Sequence, residues 1–450
     1  MDELLRDAAA RAIRYRQNVG NRPVWPTAAA LDALGRLDEA LPATRQNDAA
    51  VLALLDEIAS PATVATSGGR YFGFVIGSSL PATLAANWLA GAWDQNAGGV
   101  IQSPAAARLE EVATTWMLDV LGLPERCGTG FVTCATMANF SGLAAARHAL
   151  YARKGWDVDR HGLFGAPPIT VVVGEEVHVS VLKALGLLGL GRDRVVRVPV
   201  DDQGRMRADA LPPLDDHAIV CLQAGNVNTG AFDPADAIVP QAKRAGAWVH
   251  VDGAFGLWAA ATPARARLLA GYAEADSWAT DAHKWLNVPY DSGIVFVRDA
   301  QHLRAAMSIS AAYLVRGERR DPDDYTPEFS RRARGVEVWA ALRSLGREGL
   351  TDLIERSCRH ASRFADGLRA AGCAILNDVV INQVLVSFGD PETTRQVIAA
   401  VQADGTCWVG GTVWQGQTAM RISVSSWATT DEDVERSLSA MVRVAAEVRA

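Results

Sequence analysis

A chain of 450 residues, 49% hydrophobic and 21% charged, is too long for one small core and has the make-up of a soluble globular protein. Its formal net charge of -7 and sequence pI near 5.7 leave no basic face for nucleic acid. No run approaches the roughly 20 apolar residues that a membrane helix needs. The six cysteines lack the spacing of a zinc site or a disulfide framework, which points to a reducing cytoplasm and no metal.

The opening stretch, MDELLRDAAARAIRYRQNV, is charged and amphipathic, with no apolar core of signal-peptide length. Residues 1–60 predict a helical arm, because apolar positions recur at helical spacing in LLRDAAARAI and AAVLALLDEIA. Such an arm suits either a partner subunit or the chain's own surface. From about residue 105 long helices alternate with short apolar runs. AAARLEEVATTWMLDVLGL and MANFSGLAAARHALYAR predict helices; ITVVVG, RVVRVPV, AIVCLQAG, AWVHVDG and GIVFVR predict buried strands. This alternation predicts a larger α/β domain over 61–325, with a mostly parallel sheet covered by helices on both faces. In RRARGVEVWAALRSLG, ERSCRHASRFADGLRAAG, INQVLVSFG and AMRISVSSW the texture becomes α+β, which predicts a smaller domain over 326–450.

Ligands on parallel sheets bind at the carboxyl ends of the strands, and three polar features fall there. Asp252 ends the run WVHVD and is followed by small residues that let something flat approach, although a turn or capping aspartate reads the same way. Lys284 lies between the strand-like segments SWAT and GIVFV, where a buried ammonium is costly and burial makes an amine nucleophilic. In GFVTCATMANFSGL a strand leads through Ala135 and Thr136 into a helix whose free N–H groups suit a phosphate, or whose threonine is only a cap. An amine for a carbonyl, an acid for a ring nitrogen and a seat for a phosphate together match pyridoxal 5′-phosphate.

On these residues, and above all on DAHKWLNVPYDSG, the chain resembles the fold-type I pyridoxal-phosphate enzymes, specifically the group II decarboxylases of aromatic L-amino acids and glutamate. The resemblance runs from RYFGFVIGSSLPA to the last domain and implies the fold-type I transferase fold with its smaller C-terminal domain. It implies that Lys284 carries the cofactor as an aldimine, that Asp252 pairs with the pyridinium nitrogen, and that Ala254 lies against the ring. It further implies that His178, in EEVHVSVLKA, stacks on the pyridine face, and that Ala135 and Thr136 hold the phosphate with His283 close by. Without that motif, His178 would read as a hydrogen-bonded core histidine.

The implied activity is decarboxylation of a small-molecule L-amino acid through a quinonoid, placing the chain in amino acid and carboxylic acid metabolism, in a homodimer with the active site at its interface. The family's proton donor is a tyrosine between the domains. Tyr325 is the candidate here, with Tyr313 as a second because the stretch from Tyr325 to Ser330-Arg331-Arg332 is short for the family; packing at a domain junction would explain either tyrosine equally well. Gly73 and Phe74 fall in the substrate region without the aromatic-proline pair of aromatic-specific members, and Cys134-Ala135-Thr136-Met137 replaces the usual glycine and serine. Arg421, in TAMRISVSSW, reads either as a clamp on the substrate carboxylate or as a structural arginine. A clamp would favour the alternative chemistries of this fold: aldolase-type cleavage, transamination or aldehyde-forming oxidative deamination.

Overall fold

The computed structural model describes residues 1–309 and 319–450, so Tyr313 lies outside the described residues. They divide into two compact units: one holds Met1–Ser78, His360–Leu376 and Val384–Ala450, the other Ser79–Arg359 and Asn377–Gln383. Among the described helices none is long and apolar enough to cross a membrane.

The larger unit is built on a seven-stranded sheet. Its strands are β1 (Gly128–Val132), β2 (Thr170–Gly174), β3 (Val196–Val198), β4 (Ala218–Gln223), β5 (Trp248–Asp252), β6 (Ser277–Asp281) and β7 (Gly293–Val297), in spatial order β1-β7-β6-β5-β4-β2-β3. Strands β6, β5, β4, β2 and β3 run parallel, while β7 is antiparallel to both β6 and β1. The sheet is therefore mixed and mostly parallel. The exception is β7, which folds back beside β6 after the loop of residues 282–292 that carries Lys284.

Strands β1, β4, β5, β6 and β7 are buried at every residue, including the polar Thr129, His250, Asp252, Ser277, Thr280 and Asp281. The core lies between this sheet and the helix Ala135–Arg153, which packs on β6 and β7 and against the helices Val179–Leu187 and Ala300–Met307. That central helix is rich in alanine and buries residues all round, so it shows little amphipathic pattern.

The other unit is built around a four-stranded sheet, order β10-β11-β9-β8, from β8 (Ala374–Ile375), β9 (Gln383–Ser387), β10 (Gly410–Trp414) and β11 (Gln417–Ser423). β10 has no counterpart among the predicted strands; its GGTVW sequence opens on two glycines, and it pairs as the hairpin partner of β11. Asn47 caps the helix Asp48–Ala62, and Thr430 with Asp433 forms a capping box on Asp431–Arg449. The two helical runs predicted after residue 330 merge into Gly335–Ala370, interrupted at Gly346, whose φ of 60° only glycine adopts freely.

Gly293 opens β7 against the strand-to-helix turn after β1. A Cβ there would stand 2.4 Å from the Cys134 carbonyl carbon, a contact with backbone that cannot rotate away. Gly293→Ala is expected to cost about 1–3 kcal/mol of stability, measured by urea denaturation.

Candidate active site

The polar groups of the larger unit gather at the carboxyl ends of the parallel strands. Asp252 is the last residue of β5, Asp281 the last of β6, and His178 follows β2. His178, Ala254, Thr136 and Lys284 are partly open to solvent, and Ala254 and Lys284 lie between buried neighbours.

Lys284 lies in the turn after β6, and its Nζ is 3.0 Å from Asp281 Oδ2. The other oxygen, Oδ1, accepts the backbone N–H of Ala135, the first residue of the central helix, at 2.5 Å. It also lies 3.6 Å from His283 Nε2. Asp281 drew no notice in the sequence because an acid three residues before a lysine in a turn is common. Its side chain is almost fully buried, so Lys284, Ala135 and the helix N-terminus together compensate its charge.

His283 is stacked with Tyr290 at 4.2 Å, and its Nδ1 accepts the Ser292 amide, which leaves the proton of the neutral ring on Nε2. Burial pushes its pKa down, with Asp281 opposing.

Asp252 is buried with each oxygen bonded. Oδ1 accepts the Ala254 N–H at 3.2 Å; Oδ2 accepts Asn139 Nδ2 at 3.1 Å and Ser180 Oγ at 3.3 Å. His178 caps the helix Val179–Leu187: its Nδ1 accepts the Ser180 amide at 3.2 Å and lies 2.7 Å from Ser180 Oγ. Ser180 thus ties His178 to Asp252. The central helix also links the two acids, since Ala135 bonds Asp281 and Asn139, one turn along the same face, bonds Asp252.

Behind Asp252 lies a buried histidine. His250 Nε2 is 2.9 Å from Asn139 Oδ1, and its Nδ1 is 2.8 Å from Ser277 Oγ. Burial pushes its pKa down to about 4, with the Asp252 charge opposing, so the ring is neutral near pH 7.

The remaining predicted residues are Tyr325, Phe74 and Arg421. Tyr325 ends a 3₁₀ turn, Pro322–Tyr325, with its ring packed against the central apolar cluster and the Arg320 guanidinium 4.3 Å above it. Among the described residues, no hydrogen bond joins it to Lys284, Asp252 or His178. Phe74 and Arg421 belong to the other unit. Phe74 is exposed, has a left-handed φ of 52°, and stacks at 5.9 Å on Trp408, which also stacks on Tyr71 at 5.1 Å. Arg421 sits on β11 opposite Gly410; burial pushes its pKa down, while the field of Tyr71 acts the other way. Burial pushes the Tyr71 phenol up to about 12. Trp408 was missed because a lone tryptophan carries no motif.

Residues 35–389 match the model of the pyridoxal-dependent decarboxylase conserved domain. The chain belongs to that family. Tryptophan decarboxylase 1 of Oryza sativa subsp. japonica is 27% identical to this decarboxylase over 79% of the chain and 76% of its own length. The aromatic-L-amino-acid decarboxylase of Drosophila lebanonensis is 29% identical over 81% and 95%, and the L-2,4-diaminobutyrate decarboxylase of Rhizobium meliloti (strain 1021) 27% over 82% and 76%. In fold, the crystal structure of Oryza sativa TDC with PLP and tryptamine superposes with a TM-score of 0.90, covering 99% of this chain and 97% of its own at 22% identity. Mouse CSAD in its apo form gives 0.90 over 98% of each chain at 20% identity.

The family's cofactor, pyridoxal 5′-phosphate, fits the donor set. The first-turn N–H groups of Thr136 and Met137 have no carbonyl to meet within their helix. The Ser292 hydroxyl and Trp285 Nε1, close in sequence to His283 and Lys284, are buried without a hydrogen-bond partner among the described residues. Asp281 is the one feature at odds with the predicted phosphate seat, because its carboxylate already holds the Ala135 N–H. That leaves the amides of Thr136 and Met137 for the anion.

His250 makes stability depend on pH. A folded-state pKa near 4, below the ordinary 6.5, means that stability present above about pH 6.5 is lost as pH falls towards 4. Between pH 7 and pH 4.5 this site contributes a loss of about 2 kcal/mol. Urea unfolding at the two pH values is expected to show a loss smaller by that amount in His250→Gln.

Proposed function

We propose that this pyridoxal-phosphate-dependent decarboxylase removes the α-carboxylate of a small L-amino acid, with Lys284 as the amine that takes up the cofactor and Asp252 as the partner of its ring nitrogen. The observation that carries this assignment is the pairing of a lysine beside one buried acid with a second buried acid, each tied to the same face of one helix. The family match supports decarboxylation and lends nothing to the aldolase, aminotransferase or oxidative alternatives.

When bound, pyridoxal 5′-phosphate supplies an aldehyde for amine capture and a protonated ring that accepts the electron pair left when CO2 departs from Cα. Asp281 holds the Lys284 side chain in place through their 3.0 Å ion pair. Asp252 holds the proton on the ring nitrogen. His178, anchored through Nδ1, presents a proton on Nε2 and keeps the ring flat. Ala254 leaves room for the ring, and Thr136, Met137, Ser292 and His283 hold the phosphate. Tyr325 is our candidate for the proton returned to Cα, Phe74 and Arg421 for substrate contacts. We also propose a cytoplasmic homodimer with the active site at its interface, as the family resemblance implies; a monomer by light scattering would contradict it.

Purified protein supplied with cofactor should show a visible absorbance band that Lys284→Ala abolishes. A panel of L-amino acids should release CO2 from at least one member; keto acid or aldehyde without CO2 would overturn decarboxylation. Tyr325→Phe is expected to bind cofactor as the parent does but to lose about tenfold or more in turnover, read as CO2 release under saturating substrate.

A further inference from the structure

Residues 248, 250 and 252 lie on one face of β5, because side chains in a strand alternate with period two. In WVHVD these are Trp248, His250 and Asp252, and between each pair one residue from a neighbouring element is inserted. Trp248 Nε1 is 2.9 Å from Ser277 Oγ, at the start of β6, and Ser277 Oγ is 2.8 Å from His250 Nδ1. His250 Nε2 is 2.9 Å from Asn139 Oδ1, and Asn139 Nδ2 reaches Asp252 Oδ2 at 3.1 Å and Ser180 Oγ at 3.2 Å. All four linking residues are buried.

With Asp252 as an ion the chain has one direction. The carboxylate takes only donors, so Asn139 turns Nδ2 towards it and towards Ser180, and Oδ1 towards His250. Nε2 of the neutral imidazole must then carry the proton, and Nδ1 accepts the hydrogen of Ser277 Oγ, which itself accepts from the Trp248 indole N–H. At the far end Asp252 receives donors only. A carboxyl group met only by donors is favoured as the ion, because a protonated oxygen would face an N–H or O–H instead of an acceptor. Gly142, one turn beyond Asn139, is shaped for this: a Cβ there would lie 2.8 Å from His250 Cε1, so only glycine lets the imidazole lie against the helix.

We infer that Trp248, Ser277, His250 and Asn139 form a one-way hydrogen-bond relay that holds Asp252 ionised and in place, making His250 and Asn139 positioning residues for the cofactor's ring nitrogen. The inference rests on the proposed pairing of Asp252 with that nitrogen. Neither His250 nor Asn139 touches the cofactor; they act through the carboxylate.

The test measures cofactor affinity and the pH titration of the bound cofactor's visible band in wild type, Asp252→Ala, His250→Phe, His250→Gln and Ser277→Ala, with circular dichroism as the check on folding. His250→Phe keeps the ring shape and breaks the relay on both sides. Its dissociation constant for pyridoxal 5′-phosphate should rise about tenfold, its band midpoint move by about one pH unit, and kcat fall more than KM changes. His250→Gln keeps an N–H towards Asn139 and should recover to within about threefold of wild type. Ser277→Ala removes one hydroxyl with little change in packing and should move the same midpoint in the same direction by less. Selective 15N labelling of histidine in the cofactor-free chain should show His250 as the Nε2–H tautomer, and a tautomer mixture in Ser277→Ala. Wild-type affinity and midpoint in folded His250→Phe, or in Ser277→Ala if His250→Phe does not fold, overturn the relay when Asp252→Ala is altered. An unaltered Asp252→Ala overturns the underlying pairing of Asp252 with the ring.

Discussion

Much of the larger unit follows from the need to satisfy the buried carboxylate of Asp252. A carboxylate buried without hydrogen bonds costs several kcal/mol. Three donors converge on this one: the Ala254 amide, the Asn139 side chain and the Ser180 hydroxyl. Each donor comes from a different element, so the sheet, the central helix and the helix capped by His178 must all be in register to meet it. Asp281 is the second case of the same constraint. A lysine, a backbone amide and a helix terminus do there what neutral donors do for Asp252.

This explains why polar groups appear inside a core otherwise made of valine, alanine and tryptophan. His250, Ser277 and Asn139 are fully buried, yet each has its hydrogen-bonding capacity met by another member of the set. A partly satisfied set would be worse than an apolar core. Deleting one partner therefore disturbs more than the bond removed.

Much of this was legible in the sequence, and the remainder was hidden for physical reasons. The buried strands β2, β4, β5 and β7 showed because they are short runs rich in valine and isoleucine, and Asp252 showed because charge at the end of such a run is conspicuous; RVVRVPV was read as buried too, yet β3 is the edge strand and exposes Val196 and Arg197. Asn139 did not, since an asparagine in MANFSGLAAAR resembles an exposed helix position until its partner across the sheet is known. His250 stood inside the quoted WVHVD, but period two becomes informative only once the face of β5 that meets the helix is identified. Asp281 was masked by its closeness to Lys284. Trp408, which stacks on both Phe74 and Tyr71, did not show, because it is more than 300 residues from either in sequence. β10 was hard to see because two glycines leave only Thr412, Val413 and Trp414 to mark it before its pairing with β11 is known.

The central helix acts as a gauge. Ala135 and Asn139 stand four residues apart, a rise of ~6 Å on a rigid rod, and each is fastened to one of the two acids. The spacing of the two anchor points is thus marked off by helix geometry. One residue inserted between 135 and 139 would swing Asn139 by ~100° and carry its amide off Asp252. Length is therefore fixed across this single turn.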